Sequence, residues 1–420
     1  MPRAKKGSGR AKKTSSGKKR PNVLAMARKA GEMALKKPET DWRVVLDPDM
    51  LKEPLPHVSS GSLIIDYLIG GEPNKQGIPP CPGLPRGRVV QVWGHESAGK
   101  TTLALTAAAA VCAAGGTVLY VDWENDIVPD YAEALGVPIT DDTKFELVQP
   151  ETLEDGLKLA VIYATAGVDL IIFDSVGAAV PASIFDRGAE DVGEQAKVGE
   201  LQQKWSQEMP SIKGKIAKKG AIVIGISQIR AKINTGPGHG GPTTQPQGGN
   251  AWKFYSSVRI ELRRIKMEKQ KRFDTLTRKE DERVIGGVIR AKMIKCKLSK
   301  SQGREAIFHI RWGEGIDDIR SVMEIGMAHG IIKRAGAWYS MEGAGGSIRV
   351  QGKEPFLDHL RENKTDFNHL YDQVVPMLTA STIAEENLED LSDVESILAE
   401  AAEEFEEGDD KSESLLEVVE

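Results

Sequence analysis

Cysteine is scarce in this chain. Its three cysteines, Cys81, Cys112 and Cys296, lie far apart, and no two form a CxxC pair. That argues against a disulfide framework and against a cysteine-ligated zinc site, and it fits a reducing, cytoplasmic setting. Long apolar runs are missing too. None approaches the length of a membrane span, and the first twenty residues lack the hydrophobic centre of a signal peptide. No membrane association is expected. Acid is absent from one end of the chain and base nearly absent from the other. Residues 1–20 hold nine Lys or Arg and no acid, whereas residues 385–420 hold sixteen acids and one lysine. The net charge of −5 therefore hides a strong asymmetry. The first segment reads as a disordered basic tail, either solubilising or attracting nucleic-acid phosphates without sequence preference. The second reads as an acidic tail with one short helix near Ser392-Asp393-Val394-Glu395, a capping-box pattern.

What is present organises around Gly94-His95-Glu96-Ser97-Ala98-Gly99-Lys100-Thr101. The β-branched run Val89–Trp93 precedes it, and the alanine-rich, helix-like stretch from Thr102 follows. That is the strand–GxxxxGK[ST]–helix arrangement of a P-loop. Glycines let successive backbone N–H groups turn inward toward a phosphate chain, and the helix N-terminus favours the same anion. In that arrangement Lys100 reaches the β- and γ-phosphates and the Thr101 hydroxyl holds Mg2+. A nucleotide such as ATP with Mg2+ is the expected ligand.

The surrounding pattern predicts an α/β fold. Val89–Trp93, Thr117–Val121, Leu170–Phe173 and Ala221–Ile226 are nearly continuous apolar runs, suited to parallel strands buried on both faces. Helical stretches lie between them at Thr102–Ala114, Tyr131–Leu135 and Leu153–Thr165. Val258–Lys266 and Val288–Lys297 read as antiparallel strands at the far edge, with a hairpin excursion over Glu268–Arg283. Ser60–Asp66 reads as a turn followed by a short helix or strand. A narrow apolar stripe predicts a short helix from Val23 to about Lys37, which must pack on something to be stable.

Two carboxylates and an amide suit the chemistry of a phosphate chain. Asp174 ends the run Leu170–Phe173, where a Walker B aspartate orients Mg2+. Glu124 follows the strand Val118–Asp122 and is placed to take a proton from water attacking the γ-phosphate. Gln228 ends the strand Ile222–Ser227 and is placed to sense that phosphate. Asn234–Asn250 then packs six glycines and three prolines into seventeen residues, the composition of a mobile loop rather than of a core. A sensing glutamine at the root of such a loop has the makings of a switch.

The motifs Gly94–Thr101, Glu124, Val168–Val176, Ile226–Arg230, Gly248–Ala251 and Lys253–Tyr255 stand in the order found in the RecA family of bacterial and phage DNA strand-exchange recombinases. Gly313–Ile316 and Gly336–Ser340 continue the match, so the chain resembles that family over roughly residues 58–345. The resemblance implies a RecA-type P-loop ATPase core with a mostly parallel central sheet, an N-terminal helical arm, a small α+β C-terminal domain and the acidic tail. The boundaries it gives are 1–20 for the basic tail, 21–57 for the polymerisation arm, 58–320 for the core, 321–384 for the small domain and 385–420 for the acidic tail. Its implied function is ATP-dependent pairing and strand exchange by helical filaments on single-stranded DNA.

The same resemblance assigns roles by position. Glu124 matches the general base, Asp174 the Walker B acid, Gln228 the γ-phosphate sensor and Tyr131 the aromatic that stacks on adenine. Lys295 and Lys297 match lysines that reach the γ-phosphate of a neighbouring copy, and Phe254, with Lys253 beside it, matches a subunit-interface segment. Lys197, Val198 and Gly199 fall in a first DNA-binding loop near Pro181–Gly199. Arg230, Lys232, Gly240, Gly241, Gly248, Gly249 and Asn250 fall in or beside a second. Expected partners are single- and double-stranded DNA, further copies of the chain, a single-strand-binding protein and loading mediators. The chain departs from the family in several places. Its second loop has no Phe or Met wedge, Val198 stands where Met is usual, and Gln203 and Pro210 replace arginines. Val128 and Ile319 replace an acid and an aromatic near the nucleotide, and the linker Gly71–Pro82 is longer. Two other readings compete: a hexameric helicase built on the same core, and a DNA-binding paralogue without turnover.

Overall fold

The structure is a computed structural model that describes residues 23–36, 38, 52–74, 77–185, 199–232, 243–274 and 279–380. It separates into two units, residues 1–51 and residues 52–420. In the first, the expected helix is present as α1 (Val23–Leu35). The tails at 1–20 and 385–420, Lys197, Val198, Gly240 and Gly241 lie outside the described residues.

The second unit opens with β1 (His57–Val58), α2 (Leu63–Gly70), β2 (Leu84–Pro85), β3 (Val89–Gly94), α3 (Lys100–Ala113) and β4 (Val118–Asp122). It continues through α4 (Pro129–Ala134), β5 (Phe145–Val148), α5 (Leu153–Ala166), β6 (Leu170–Asp174), α6 (Ala182–Phe185), α7 (Glu200–Lys219) and β7 (Ile222–Lys232). Then come β8 (Thr243–Pro246), α8 (Gly249–Tyr255), β9 (Val258–Asp274), β10 (Lys279–Cys296), β11 (Glu305–Arg311) and β12 (Gly315–Ile316). The last part holds α9 (Asp318–Ala328), β13 (Lys333–Ala335), β14 (Trp338–Gly343), β15 (Gly346–Gln351), α10 (Lys353–Glu362) and α11 (Lys364–Ala380).

The central sheet runs in the order β12-β11-β10-β9-β3-β7-β6-β4-β5. From β9 to β5 every pairing is parallel; from β9 to β12 every pairing is antiparallel. The apolar runs explain this. In β3 and β6 both alternating sets of side chains are buried, one set in each of two cores. On one face, Leu103, Ala104, Ala107, Ala108 and Val111 of α3 pack on Val90, Val92 and Ile172. On the other, α5, α7 and α8 bring Leu157, Trp205, Met209 and Trp252 onto Val89, Phe173 and Val223. Trp205 and Trp252 meet at 5.1 Å edge to face. Gly225 of β7 lies directly beneath the Trp252 ring, where any Cβ would collide.

Three expectations need correction. Gln228 does not end its strand: β7 continues to Lys232 because β8 supplies an antiparallel partner, Ile229 opposite Pro246 and Lys232 opposite Thr243. The described part of Asn234–Asn250 is accordingly ordered, with Thr243–Pro246 in that strand and Gly249 and Asn250 opening α8. The strand from Val258 is antiparallel only on one side. On the other it runs parallel to β3, Val90 opposite Val258 and Gly94 opposite Leu262, so it sits inside the sheet. Two strands gave no clear sequence signal. β5 is only four residues long at the sheet edge, and β11 lies between charged residues. The expected hairpin excursion is a long two-stranded arm, Arg283 opposite Gln270 and Glu268 opposite Gly286.

The C-terminal part is a β13-β14-β15 antiparallel sheet with α9, α10 and α11 around Val322, Phe356, Leu360 and Leu370. The α2 helix joins the two parts, burying Ile65 and Leu68 in the core while Leu63 and Tyr67 pack on the C-terminal cluster. Polar contacts reinforce the junction: Arg320 of α9 pairs with Glu268 at 3.0 Å, and His309 of β11 bonds the same carboxylate at 2.7 Å.

Candidate nucleotide site and subunit face

Parallel register brings the ends of four strands to one edge. Gly94 is level with Gln228, and Asp122 with Asp174. A crevice at the carboxyl ends of parallel strands is where open α/β sheets bind ligands. The loop from His95 to Gly99 crosses that edge. Ser97 (φ 56°) and Gly99 (φ 81°) occupy the left-handed region, which turns their neighbouring N–H groups inward. The left-handed φ favours glycine at 99, and a Cβ there would also push the tip of the Ile310 side chain aside. The α3 helix begins at Lys100, so its unsatisfied N–H groups face the same hollow.

Within the hollow, Lys100 is 8% exposed and its Nζ donates to the His95 carbonyl at 2.7 Å. Burial lowers the pKa of this ammonium, opposed by the charges of Asp174, Glu124 and Glu96. A cation folded back on its own loop's carbonyl is short of an anion, and a phosphate chain fits that need. Thr101 Oγ1 donates to Asp174 Oδ2 at 2.9 Å, and Tyr120 Oη donates to the same oxygen at 2.7 Å. Burial raises Asp174 to about 6, outweighing those two hydrogen bonds, while Glu124 and Asp122 add to the rise. One carboxylate and one hydroxyl side by side match how Mg2+ is held when phosphates and waters complete its shell. Among the described residues no group of three or more His, Cys, Asp or Glu forms a metal cage.

Glu124 and Gln228 meet: Gln228 Nε2 donates to Glu124 Oε1 at 2.9 Å. Glu124 is aimed by Asp122, whose Oδ1 accepts from the backbone N–H of Glu124 (3.1 Å) and of Asn125 (2.9 Å). Gln149 Nε2 donates to the other oxygen at 3.1 Å. Tyr131 lies at the side of the site, its hydroxyl 2.8 Å from Thr102 Oγ1. Sequence reasoning missed Asp122, Tyr120 and Gln149. Each lies in or beside a strand and acts through another residue, and only the acid ending the Val118–Asp122 strand left a trace. Also missed was Arg264 of β9, whose Nη1 donates to the Ser97 carbonyl at 3.3 Å.

Lys295 and Lys297 are not part of this hollow. Lys295 is level with Arg259 and Cys296 with Val258, at the start of β9, whereas the P-loop leaves β3 level with Leu262. Three residues of strand separate the level of Lys295 from that of Gly94, roughly 10 Å at about 3.3 Å per residue. Lys295 Nζ instead caps the C-terminus of α8, donating to the carbonyls of Lys253 (2.6 Å) and Phe254 (3.4 Å). Burial, together with the positive charges of Lys297, Arg259, Lys213 and Lys253, lowers its pKa to about 8. Lys297 is exposed, and Phe254 is 65% exposed although it is aromatic. Gly199 is the N-cap of α7 and Gly248 the N-cap of α8, both left-handed. Arg230 and Lys232 lie in β7 beyond Gln228.

This sheet, with its strand–loop–helix turn at the carboxyl ends of parallel strands, has the architecture of a P-loop α/β protein. Residues 42–317 match the RecA N-terminal domain and residues 320–379 the RecA C-terminal domain. The chain is 38% identical over 321 residues to the protein RecA of Limosilactobacillus reuteri, covering 76% of this chain and 78% of that one. It is 36% identical over 354 residues to the protein RecA of Lactobacillus johnsonii, covering 83% and 88%. To the protein RecA of a Mycobacterium species it is 35% identical over 339 residues, covering 80% and 87%. The chain belongs to the RecA family.

Proposed function

We propose that this chain is a DNA-dependent ATPase that polymerises on single-stranded DNA and exchanges strands with a homologous duplex. The observation that carries this reading is the division of the phosphate-binding groups between two edges of one sheet. Lys100, Thr101, Glu124, Asp174 and Gln228 converge at one edge, while Lys295 sits at the other with no carboxylate partner among the described residues. A site divided this way is completed by a second copy, head to tail, and a heterologous contact that does not close generates a filament.

When bound, ATP with Mg2+ supplies the scissile γ-phosphate and the charge that the metal neutralises. The backbone N–H groups of residues 95–99 and Lys100 hold the phosphate chain, and Thr101 and Asp174 hold the metal. Glu124 accepts the proton of the attacking water at a carboxylate oxygen. Gln228 gives up its bond to Glu124 as it turns to the γ-phosphate, and β7 carries that change toward the loop after Lys232. Lys295 and Lys297 of one copy reach the triphosphate of the next. DNA lies against the glycines and basic residues of the two loops, Pro181–Gly199 and Asn234–Asn250, with Arg230 and Lys232 of β7 beside the second.

In this reading residues 21–57 serve polymerisation, 58–320 catalysis and DNA binding, and 321–384 form an accessory domain between the core and the acidic tail. Cytoplasmic action beside a single-strand-binding protein and loading mediators completes it. The test is ATP hydrolysis with and without single-stranded DNA, on material also imaged by electron microscopy. Stimulated turnover with helical filaments is expected. Closed rings favour a helicase instead, and lone particles with unstimulated turnover defeat the proposal.

A further inference from the structure

On the α7 and α8 face of the sheet, three buried polar side chains form a line across three neighbouring strands. Arg259 of β9 is 7% exposed, Gln91 of β3 is 1% exposed, and Ser227 of β7 is fully buried. Arg259 Nε donates to Gln91 Oε1 at 2.7 Å, and Gln91 Nε2 donates to Ser227 Oγ at 2.8 Å. Register explains the contacts: Gln91 lies opposite Arg259 on one side and Gly225 on the other, one step along its face from Ser227. No carboxylate pairs with Arg259 among the described residues. Among the described residues its charge meets the Gln91 carbonyl oxygen and the Trp93 ring, whose centroid is 5.9 Å away. A buried cation without a counter-ion costs stability unless an anion arrives to offset it. This line therefore asks for a functional account.

Its two ends supply one. At the β9 end, Arg259 is level with Lys295, and Lys213, Lys253 and Lys297 crowd the same place with positive charge. At the β7 end, Ser227 precedes Gln228, which holds Glu124. We infer that Arg259, Gln91 and Ser227 are positioning residues that tie the Lys295 face, where a neighbouring copy's triphosphate is received, to the Gln228–Glu124 pair of the same copy's own site. An anion arriving at Lys295 draws the Arg259 guanidinium toward it. Gln91 and Ser227 follow through their hydrogen bonds, and the backbone of Gln228 is re-aimed. Occupancy of one interface then sets turnover at the next. This inference rests on the proposed function, since it needs both Lys295 and Gln228 to act on phosphate.

A double-mutant cycle provides the test, because only non-additivity separates coupling from two independent losses. DNA-stimulated kcat is measured on the full chain for Ser227→Ala, Lys295→Ala and the pair, with Gln91→Glu as a further variant. Gln91→Glu keeps an acceptor for Arg259 but gives that cation a buried counter-ion, which pins it. The expected results are a several-fold loss in Ser227→Ala and in Gln91→Glu, a much larger loss in Lys295→Ala, and a double variant no slower than Lys295→Ala alone. Thermal melting of each variant establishes that it is folded. If the two losses multiply in folded protein, the line carries nothing and the inference is overturned. If Lys295→Ala turns over like the parent, Lys295 does not act on phosphate, and both the inference and the divided-site reading fall.

Discussion

Gln228 and Glu124, 104 positions apart in sequence, share a 2.9 Å hydrogen bond at the mouth of the phosphate cradle. The amide donates to the very oxygen a general base would use, so in this arrangement Glu124 is held away from a water. Glu124→Gln should lower DNA-stimulated turnover by about 10²–10⁴-fold, the usual worth of a general base, while nucleotide binding persists. Gln228→Ala should act differently: it frees Glu124 but removes the phosphate contact. Its ratio of turnover with DNA to turnover without should fall toward one. Steady-state hydrolysis with a fluorescent-nucleotide titration reads both. A Glu124→Gln protein that hydrolyses at the parental rate would move the base elsewhere.

Mixing two strongly impaired variants tests the proposed divided site directly. Lys295→Ala retains Lys100, Glu124 and Asp174 but cannot complete its neighbour's site; Glu124→Gln lacks the base but still presents Lys295. An interface made by a Lys295→Ala copy holding nucleotide and a Glu124→Gln copy supplying the lysine is intact. Random equimolar filaments should recover about a quarter of the parental turnover, since that fraction of head-to-tail contacts has the productive pairing. No recovery in filaments that form normally would place Lys295 outside the active site.

Much of the fold is legible in the sequence, because the strongest signals are local. The glycine spacing of 94–101 and the apolar run ending in Asp174 each declare themselves within ten residues. Gln228 was legible as a residue, but its strand was cut short. What extends β7 to Lys232 is its partner Thr243–Pro246, and pairing across an intervening loop leaves no mark on the strand itself. Tyr120 and Asp122 escaped for a related reason: one reads as an ordinary strand aromatic and the other as a strand-ending acid. Their work is to hold Asp174 and Glu124, and that is visible only once β4 lies beside β6. The Arg259–Gln91–Ser227 line is the extreme case, since its members come from three strands and Gln91 is 136 positions from Ser227 and 168 from Arg259.

Lys100 makes its bond to the His95 carbonyl in place of a phosphate, and its pKa is lowered chiefly by burial. The ammonium is thus a cost to the nucleotide-free fold and a gain once an anion arrives. Lys100→Ala should weaken ATP binding about 10- to 100-fold, the worth of a charge-assisted contact of roughly 1.5–3 kcal/mol. Without nucleotide it should melt no lower than the parent. Calorimetric titration and thermal melting give the two halves. A variant that binds ATP as before, or that is clearly less stable when empty, would contradict this account.

Asp318 gives the pH dependence a definite sign. Its Oδ1 accepts from Ser62 Oγ at 3.1 Å and its Oδ2 from the Leu63 N–H at 3.0 Å, at the joint where α2 meets α9. Burial nevertheless raises it to about 7, and the charges of Asp66 and Asp317 add to the rise. Asp66 is itself raised to about 6 by burial. An unfolded aspartate titrates near about 3.9, so between there and about 7 the folded chain holds a proton that the unfolded chain has released. The stability this proton confers is fully present below about pH 4 and is lost as pH rises through 7, at up to about 1.4 kcal/mol per pH unit for one group. Asp318→Asn removes the ionisation and keeps one oxygen for the Leu63 N–H or the Ser62 hydroxyl. Its urea midpoint should match or fall slightly below the parent at pH 5 and exceed it at pH 8. Tryptophan fluorescence of the full chain at both pH values checks this. A variant destabilised equally at pH 5 and pH 8 would mean that the carboxylate's two hydrogen bonds outweigh the cost of burying its charge.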